Sequence, residues 1–275
     1  MAQSNNVLKI NPEVTPYLIS SLGHHEPKLW IVLPAFNESE NLGKLIETLA
    51  ERLLYQKSPF EIVVVNDGSS DETSTVARGF QFQLPMTVID HPTNLGLGAT
   101  MRDGFEYISQ KASPTDIVIA MDADNTHNPG LIKEMVDCIF QGNDVVIASR
   151  YQNGSHIKGV PSYRQLLSLG ASWLFRLCFP VKGVRDYTCG YRAYRVGLIQ
   201  AAFRRYGNEF INQNGFECMV DILIKLRKLD AIFREVPLVL RYDLKLGESK
   251  MRVARTITRS LVLIAKHRLF PSVAV

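Results

Sequence analysis

From residue 29 to residue 150 the chain repeats one pattern: a short, wholly apolar run, then a polar loop, then apolar residues at helical spacing. Leu29-Trp-Ile-Val-Leu33 leads into Pro34-Ala-Phe-Asn-Glu38 and then into Leu42, Leu45, Ile46, Leu49 and Leu53. Residues 60–65 lead into Asn66-Asp-Gly-Ser-Ser-Asp-Glu-Thr73, and residues 86–89 into a helix after Asn94. Residues 117–121 lead into Asp122-Ala-Asp124, and residues 144–148 into Ser149-Arg150. Strands that are apolar throughout must be covered on both faces, and strands that alternate with helices pair in parallel. The chain is therefore expected to be an α/β protein with a mostly parallel central sheet flanked by helices. Its polar strings follow the strand ends, where open α/β sheets bind ligands.

Composition removes other classes. The 275 residues carry 31 Lys+Arg against 27 Asp+Glu, a net charge of +4, with 46% hydrophobic and 21% charged residues. That mixture excludes a disordered chain, a collagen and a coiled coil. No run reaches the roughly 18 apolar residues of a membrane span; the best candidate, residues 260–265, is cut off by Lys266, His267 and Arg268. The first segment has neither a basic start nor an apolar run, so it does not read as a secretory signal, and a cytoplasmic location is expected. Cys138, Cys178, Cys189 and Cys218 show no metal-ligand spacing and read as free, buried thiols. No nucleic-acid motif is present and the charge is nearly balanced outside the tail, so no nucleic-acid partner is expected. Gly96-Leu-Gly98-Ala-Thr-Met lacks the third glycine of a dinucleotide fingerprint and follows the third strand rather than the first, which sets aside a dehydrogenase.

Residues 1–28 read as a polar, Pro-broken extension, 29–240 as the main domain and 241–275 as a loop with a basic amphipathic helix. Within the main domain, residues 163–178 read as an amphipathic helix, 183–195 lack a clear period, 216–229 suggest a helix and 232–240 a strand. In the tail Val253, Ile257, Leu261 and Ile264 share one helical face, and Arg252, Arg255, Arg259 and Lys266 another. Such a helix suits either an anionic membrane surface or packing against the body with its charges in water.

Asp122 and Asp124 close a strand that is otherwise uncharged. Two carboxylates one residue apart can both reach a divalent cation where the chain leaves a strand, and hard oxygens suit Mg²⁺ or Mn²⁺. The same string could instead cap the helix near Leu131. Asp67 at its strand end could accept from a nucleobase or ribose, or serve only the Asn-Asp-Gly turn.

Taken in order, these strings resemble the family 2 glycosyltransferases of the GT-A fold, and among them the polyprenol-phosphate sugar transferases. The resemblance spans residues 29–251. It rests on Pro34-Ala-Phe-Asn-Glu38, Asn66-Asp67-Gly-Ser-Ser-Asp71, Asn94-Leu-Gly-Leu-Gly98, Met121-Asp-Ala-Asp124, Ser149-Arg150-Tyr151, Asp186-Tyr-Thr-Cys-Gly190-Tyr-Arg192 and Gly247-Glu-Ser-Lys250-Met251. It implies that Pro34, Ala35, Phe36, Glu38 and Asp67 hold the nucleotide of a nucleotide-diphospho sugar such as GDP-mannose or UDP-glucose. It further implies that Asp122, Ala123 and Asp124 hold the ion and the donor diphosphate, with Thr126 as an additional metal ligand. Arg150 and Arg164 would clamp an acceptor phosphate, while Ser249 and Lys250 close over the donor. Relatives often carry an Arg three positions before the Gly of Gly-x-Ser-Lys; this chain has Leu244 there, with Lys245 and Arg241 nearby.

Transfer to a hydroxyl usually needs a general base, and many members of the family supply an Asp in a Glu-Asp pair. This chain contains no Glu-Asp pair. A phosphate monoester is already largely dianionic at neutral pH and needs no base. The expected reaction is therefore inverting, metal-dependent transfer of a hexose to a polyprenyl phosphate, the protein lying peripherally on the cytoplasmic face of a membrane. The alternative is a soluble hydroxyl acceptor, with Asp186 or Asp221 as base.

Overall fold

The computed structural model describes residues 26–246 and 253–269. The apolar runs form strands β1 (Leu29–Ala35), β2 (Phe60–Asn66), β3 (Met86–Asp90), β4 (Ile117–Ala120) and β5 (Val145–Ser149). Helices α1 (Ser39–Gln56), α2 (Thr73–Phe80), α3 (Leu97–Lys111) and α4 (Ile132–Phe140) connect them. Later come β6 (His156–Lys158), α5 (Ser162–Cys178), β7 (Arg192–Arg195), α6 (Val196–Tyr206), α7 (Cys218–Arg227), β8 (Phe233–Pro237), β9 (Val239–Arg241) and α8 (Val253–Leu269).

The main sheet has the order β3-β2-β1-β4-β7-β5-β8. All its pairings are parallel except those of β7, which runs antiparallel between β4 and β5. Strand β1 lies at the centre of the parallel part, which is why Ile31, Val32 and Leu33 are fully buried. Helix α1 covers one face through Leu42, Leu45, Ile46, Leu49 and Leu53, the same residues whose spacing predicts it. On the other face α3 approaches closely: a methyl at Gly104 would lie 2.9 Å from Val32 Cγ1. All four cysteines are free; Cys138, Cys189 and Cys218 are buried and Cys178 is half-buried.

Two departures from the sequence reading follow from charge and length. Strand β7 lies in the stretch without a period, because it has four residues and begins and ends with Arg. Arg192 is nevertheless fully buried; its guanidinium donates to Met219 O at 2.7 Å and Tyr187 O at 2.8 Å, so backbone carbonyls compensate its burial. The strand expected over 232–240 is two strands, since β9 leaves the main sheet at Leu238 and pairs with β6 in a separate two-stranded sheet.

Helix α8 is docked on the body. Arg259 reaches Glu217 at 3.6 Å, Leu263 is buried, and His267 Nε2 lies 2.7 Å from Asp221 Oδ1, all on one helical stripe. Leu261 and Val262 face outward. Of the basic face expected in the tail, Arg252 and the side chains of Arg255 and Lys266 lie outside the described residues.

Candidate active site

The polar strings meet at the C-terminal ends of β1, β2 and β4. The loops after β1 and β2 are zipped together: Asp67 N donates to Ala35 O at 2.8 Å, Asn37 N to Ser69 Oγ at 2.9 Å, and Ser70 N to Asn37 Oδ1 at 2.8 Å. Asn37 sits at φ 53°, a left-handed conformation that Asn tolerates. Glu38 is buried, its N–H bound to Thr73 Oγ1 at 2.8 Å and its carboxylate to Asn41 Nδ2 at 2.8 Å.

Asp67 faces inward. Its oxygens accept from Leu95 N and Gly96 N, each at 2.8 Å, and Oδ1 also meets His91 Nδ1 at 2.8 Å. In this arrangement it is an anchor that ties the 94–98 turn to β2. That turn also carries a close backbone approach: Gly98 N donates to Asn214 O at 3.2 Å, and a Cβ on Gly98 would fall 1.5 Å from Gln213 O. Gly98→Ala is therefore expected to force the 213–214 segment off α3 and cost about 1–3 kcal/mol, read as a lowered thermal midpoint.

Asp122 and Asp124 leave β4 on a bend whose middle residue, Ala123, is buried in the core. Asp124 Oδ1 accepts from Thr126 Oγ1 at 2.7 Å and from Thr126 N at 3.2 Å. Thr126, expected as a metal ligand, is buried and has its hydroxyl turned onto Asp124, where it orients that carboxylate. The helix-capping role falls to Asn128, whose side chain accepts from Gly130 N at 2.9 Å. Asp124 Oδ2 accepts from Lys245 Nζ at 2.7 Å. Burial alone would raise the Asp124 pKa, but attraction to Lys245 and His127 and these hydrogen bonds outweigh it and hold the carboxyl below its ordinary value. The Asp122 side chain keeps 40% exposure into the cleft. Desolvation by the cleft walls pushes its carboxyl up against the pull of His127, whose Nε2 stands 3.9 Å away. Beside Asp122 lies a small cavity lined by Pro34, Met101, Met121, Thr188, Gly190 and Phe216.

Among the described residues no three His, Cys, Asp or Glu side chains cluster as an ion site. The described residues thus offer two hard carboxylates at this bend, one of them already neutralised by an ammonium. That donor set fits an ion of the Mg²⁺ or Mn²⁺ kind whose remaining ligands are water and phosphate oxygens.

Arg150, expected to clamp an acceptor phosphate, has another task in this structure. Its guanidinium spans Asp186 through Nε at 2.8 Å and Nη2 at 2.6 Å, and Nη2 also reaches Thr188 Oγ1 at 2.6 Å. Asp186 is fully buried and accepts in addition from the backbone N–H groups of Arg150, Thr188 and Cys189 at 3.1–3.2 Å. Burial pushes this carboxyl up, but Arg150 and the N–H donors prevail and hold it low. Nη1 makes one long contact, 3.5 Å to Ser168 Oγ, and retains capacity for a further acceptor. Through Thr188 and Gly190 this pair shapes the wall beside Asp122, since a Cβ on Gly190 would lie 3.2 Å from Asp122 Oδ1. Arg164 donates to Tyr242 Oη at 3.0 Å. Ser249 and Lys250 lie outside the described residues.

The model of glycosyl transferase family 2 matches residues 30–203. The chain belongs to that family. It is similar to a dolichol-phosphate mannosyltransferase of Pyrococcus furiosus, 32% identical over 226 residues that make up 82% of this chain and 59% of that protein. The chain thus spans less than two thirds of the length of that relative. It is also similar to a polyprenol monophosphomannose synthase of Mycolicibacterium smegmatis, 29% identical over 80% of each chain. Among solved structures, glucosyl-3-phosphoglycerate synthase of Mycobacterium tuberculosis in complex with Mn²⁺, UDP and glucosyl-3-phosphoglycerate superposes with a TM-score of 0.61 at 20% identity, covering 89% of this chain and 79% of that one. The fold is GT-A and this family 2 member is a glycosyltransferase.

Sequence reasoning passed over two participants, Asn41 and His127, and named Lys245 only as a basic neighbour of Leu244. Asn41 carried a signal, three residues after Glu38 on the buried side of α1. Lys245 enters where relatives often place an Arg one residue earlier, while Arg241 is spent on Asp243 at 2.8 Å.

Proposed function

We propose that this glycosyltransferase moves a hexose from a nucleotide-diphospho sugar, GDP-mannose or UDP-glucose, to a polyprenyl phosphate, with inversion. An acceptor phosphate oxygen attacks the anomeric carbon; the bond from that carbon to the diphosphate oxygen breaks, and the nucleoside diphosphate leaves. A divalent ion bound with Asp122 and Asp124 would stabilise the negative charge of the leaving diphosphate. Pro34, Ala35, Phe36 and Glu38 would line the nucleotide side, with Asp67 holding the turn beneath. Arg164, the Nη1 of Arg150, and Ser249 with Lys250 would offset the repulsion between two anionic reactants and orient the attack.

The observation that carries the acceptor class is the state of the candidate bases. Asp186 has its acceptor capacity filled by Arg150 and three backbone N–H groups, and Asp221 is buried between Lys225 at 2.6 Å and His267 at 2.7 Å. Neither is available to deprotonate a hydroxyl, whereas a phosphate nucleophile needs no such group. The testing experiment mixes the protein with Mn²⁺ and a panel of nucleotide sugars, with and without a short polyprenyl phosphate. Nucleoside diphosphate release that requires the lipid supports the reading; release that proceeds equally with a soluble sugar acceptor contradicts it.

A lipid acceptor also fits the surface. Helix α5 presents Tyr163, Leu166, Leu169, Trp173 and Leu177 outward at helical spacing, with Leu166 71% and Trp173 66% exposed, and α8 adds Leu261 and Val262. A continuous apolar stripe in water is costly unless it meets an apolar partner. None of the described helices is long and apolar enough to cross a membrane, so the stripe suits a protein lying on a bilayer. Replacing Leu166 and Trp173 by Glu should lower binding to vesicles by about tenfold or more, because each side chain is worth about 1.5–3 kcal/mol on transfer from water. Turnover with a short, detergent-dispersed polyprenyl phosphate should be retained. Sedimentation with vesicles checks the first outcome, and unchanged sedimentation would contradict it.

A further inference from the structure

Asp124 already holds a cation, and that cation belongs to the chain. Lys245 Nζ lies 2.7 Å from Asp124 Oδ2 and 3.9 Å from Glu38 Oε1, with its side chain 9% exposed. The backbone fixes its approach. Leu246 N donates to Asn41 Oδ1 at 2.9 Å, and Asn41 Nδ2 donates to Leu246 O at 3.0 Å. Asn41 is itself buried and anchored on Glu38 Oε2 at 2.8 Å. The segment that delivers the lysine is thus pinned to the same loop that supplies one of its carboxylates. This is a built site rather than a chance surface pair, which would contribute little.

An ammonium and a divalent ion on one carboxylate repel each other, and in a cleft shielded from water that repulsion is not screened away. Either the ion stays out or the lysine moves. Among the described residues three carboxylates, Glu38, Asp122 and Asp124, act on the Lys245 ammonium, so this part of the cleft retains negative charge that draws a divalent ion in. A nucleoside diphosphate arriving with that ion brings new anionic oxygens to which a displaced lysine can turn.

We infer that Lys245 is an internal stand-in cation: it occupies the place of the divalent ion on Asp124 and, when the ion and a nucleoside diphosphate arrive, transfers to the diphosphate. This rests on the reading of Asp122 and Asp124 as the ion site. It gives Lys245 two effects of opposite sign. It competes with the ion when the ion comes alone, and it reinforces the diphosphate once the ion is bound. Ion and nucleoside diphosphate therefore bind cooperatively.

The experiment measures Mn²⁺ affinity by electron paramagnetic resonance of the free ion, without nucleotide, and then GDP and UDP affinity by calorimetry at saturating Mn²⁺. Lys245→Met is expected to bind Mn²⁺ alone about tenfold more tightly and to bind the nucleoside diphosphate at least tenfold more weakly, while Lys245→Arg stays close to the parent in both. Lys245→Gln, which keeps a polar contact to Asp124 without the charge, should behave as Lys245→Met and serves if that variant does not fold. A purely structural lysine would not shift the two affinities in opposite directions. Mn²⁺ binding that depends on Asp124 but is unchanged or weakened in the uncharged variants overturns the inference alone. Absence of any Asp124-dependent Mn²⁺ binding in the parent protein overturns the ion-site reading and the inference with it.

Discussion

Asp124→Ala is expected to abolish metal-dependent turnover, with a loss of about 10³-fold or more in kcat/KM. In the proposed reaction the leaving group is a diphosphate, and an ion that neutralises it would lower the barrier by several kcal/mol, each 1.36 kcal/mol being tenfold in rate. Asp124 stands at the centre of this arrangement, oriented by Thr126 and paired with Lys245. Its removal should leave the fold intact, because it lies in the loop after β4, a strand buried by its neighbours, and Glu38 remains 3.9 Å from the Lys245 ammonium as a second partner. Asp124→Asn keeps the shape and removes the charge, so an equal loss in both variants assigns the effect to charge. Nucleoside diphosphate release against Mn²⁺ concentration, with circular dichroism to verify folding, measures it. Full activity in either variant would refute the role.

Arg150→Ala is expected to act chiefly on stability. It strands the Asp186 carboxylate, which is fully buried, and breaking such a pair costs about 3–5 kcal/mol. For a chain of this size that corresponds to a fall of roughly 10 °C in Tm. The sign with pH follows from the depressed Asp186 pKa. A carboxyl held below its unfolded value stabilises the fold above that value, about 3.9, and the contribution is lost as pH falls through the folded value. The gap between parent and variant should be full at neutral pH and narrow on acidification towards and below about pH 4. Arg150→Met combined with Asp186→Leu should recover much of the loss, since a paired apolar replacement leaves no buried charge. Thermal unfolding across pH tests this. A Tm unchanged in Arg150→Ala, with acceptor use alone impaired, would show instead that the guanidinium is free to serve the phosphate.

How much of this was legible in the sequence depended on whether a residue's signal was local. Strands β1, β2 and β4 are apolar runs ended by polar strings, so both their existence and the location of Pro34, Glu38, Asp122 and Asp124 at one sheet edge could be read directly. Strand β7 could not, because the two terminal nitrogens of Arg192 are bound by carbonyls of Tyr187 and Met219, the latter 27 positions away, and nothing nearby in sequence announces that compensation. The same holds for the partners of the catalytic candidates. Asp186 looks like a base until Arg150, 36 positions earlier, is seen to fill it. Lys245 reaches Asp124 across 121 positions, a distance over which spacing carries no information. Helix α8 shows the related limit of amphipathicity: its periodicity fixes the helix, but Arg259, Leu263 and His267 face the body only because Glu217 and Asp221 wait for them on α7 and just before it.

The most direct test of the central claim compares two acceptors that differ by one group. The protein, Mn²⁺ and the nucleotide sugar it consumes would be offered a short polyprenyl phosphate and the matching polyprenol, and the products analysed by mass spectrometry. A hexosyl phosphodiester from the phosphate and no polyprenyl glycoside from the alcohol is the expected result. Transfer to the alcohol at a comparable rate would mean that a base operates in the site after all, and would contradict the assignment of Asp186 and Asp221 to internal partners.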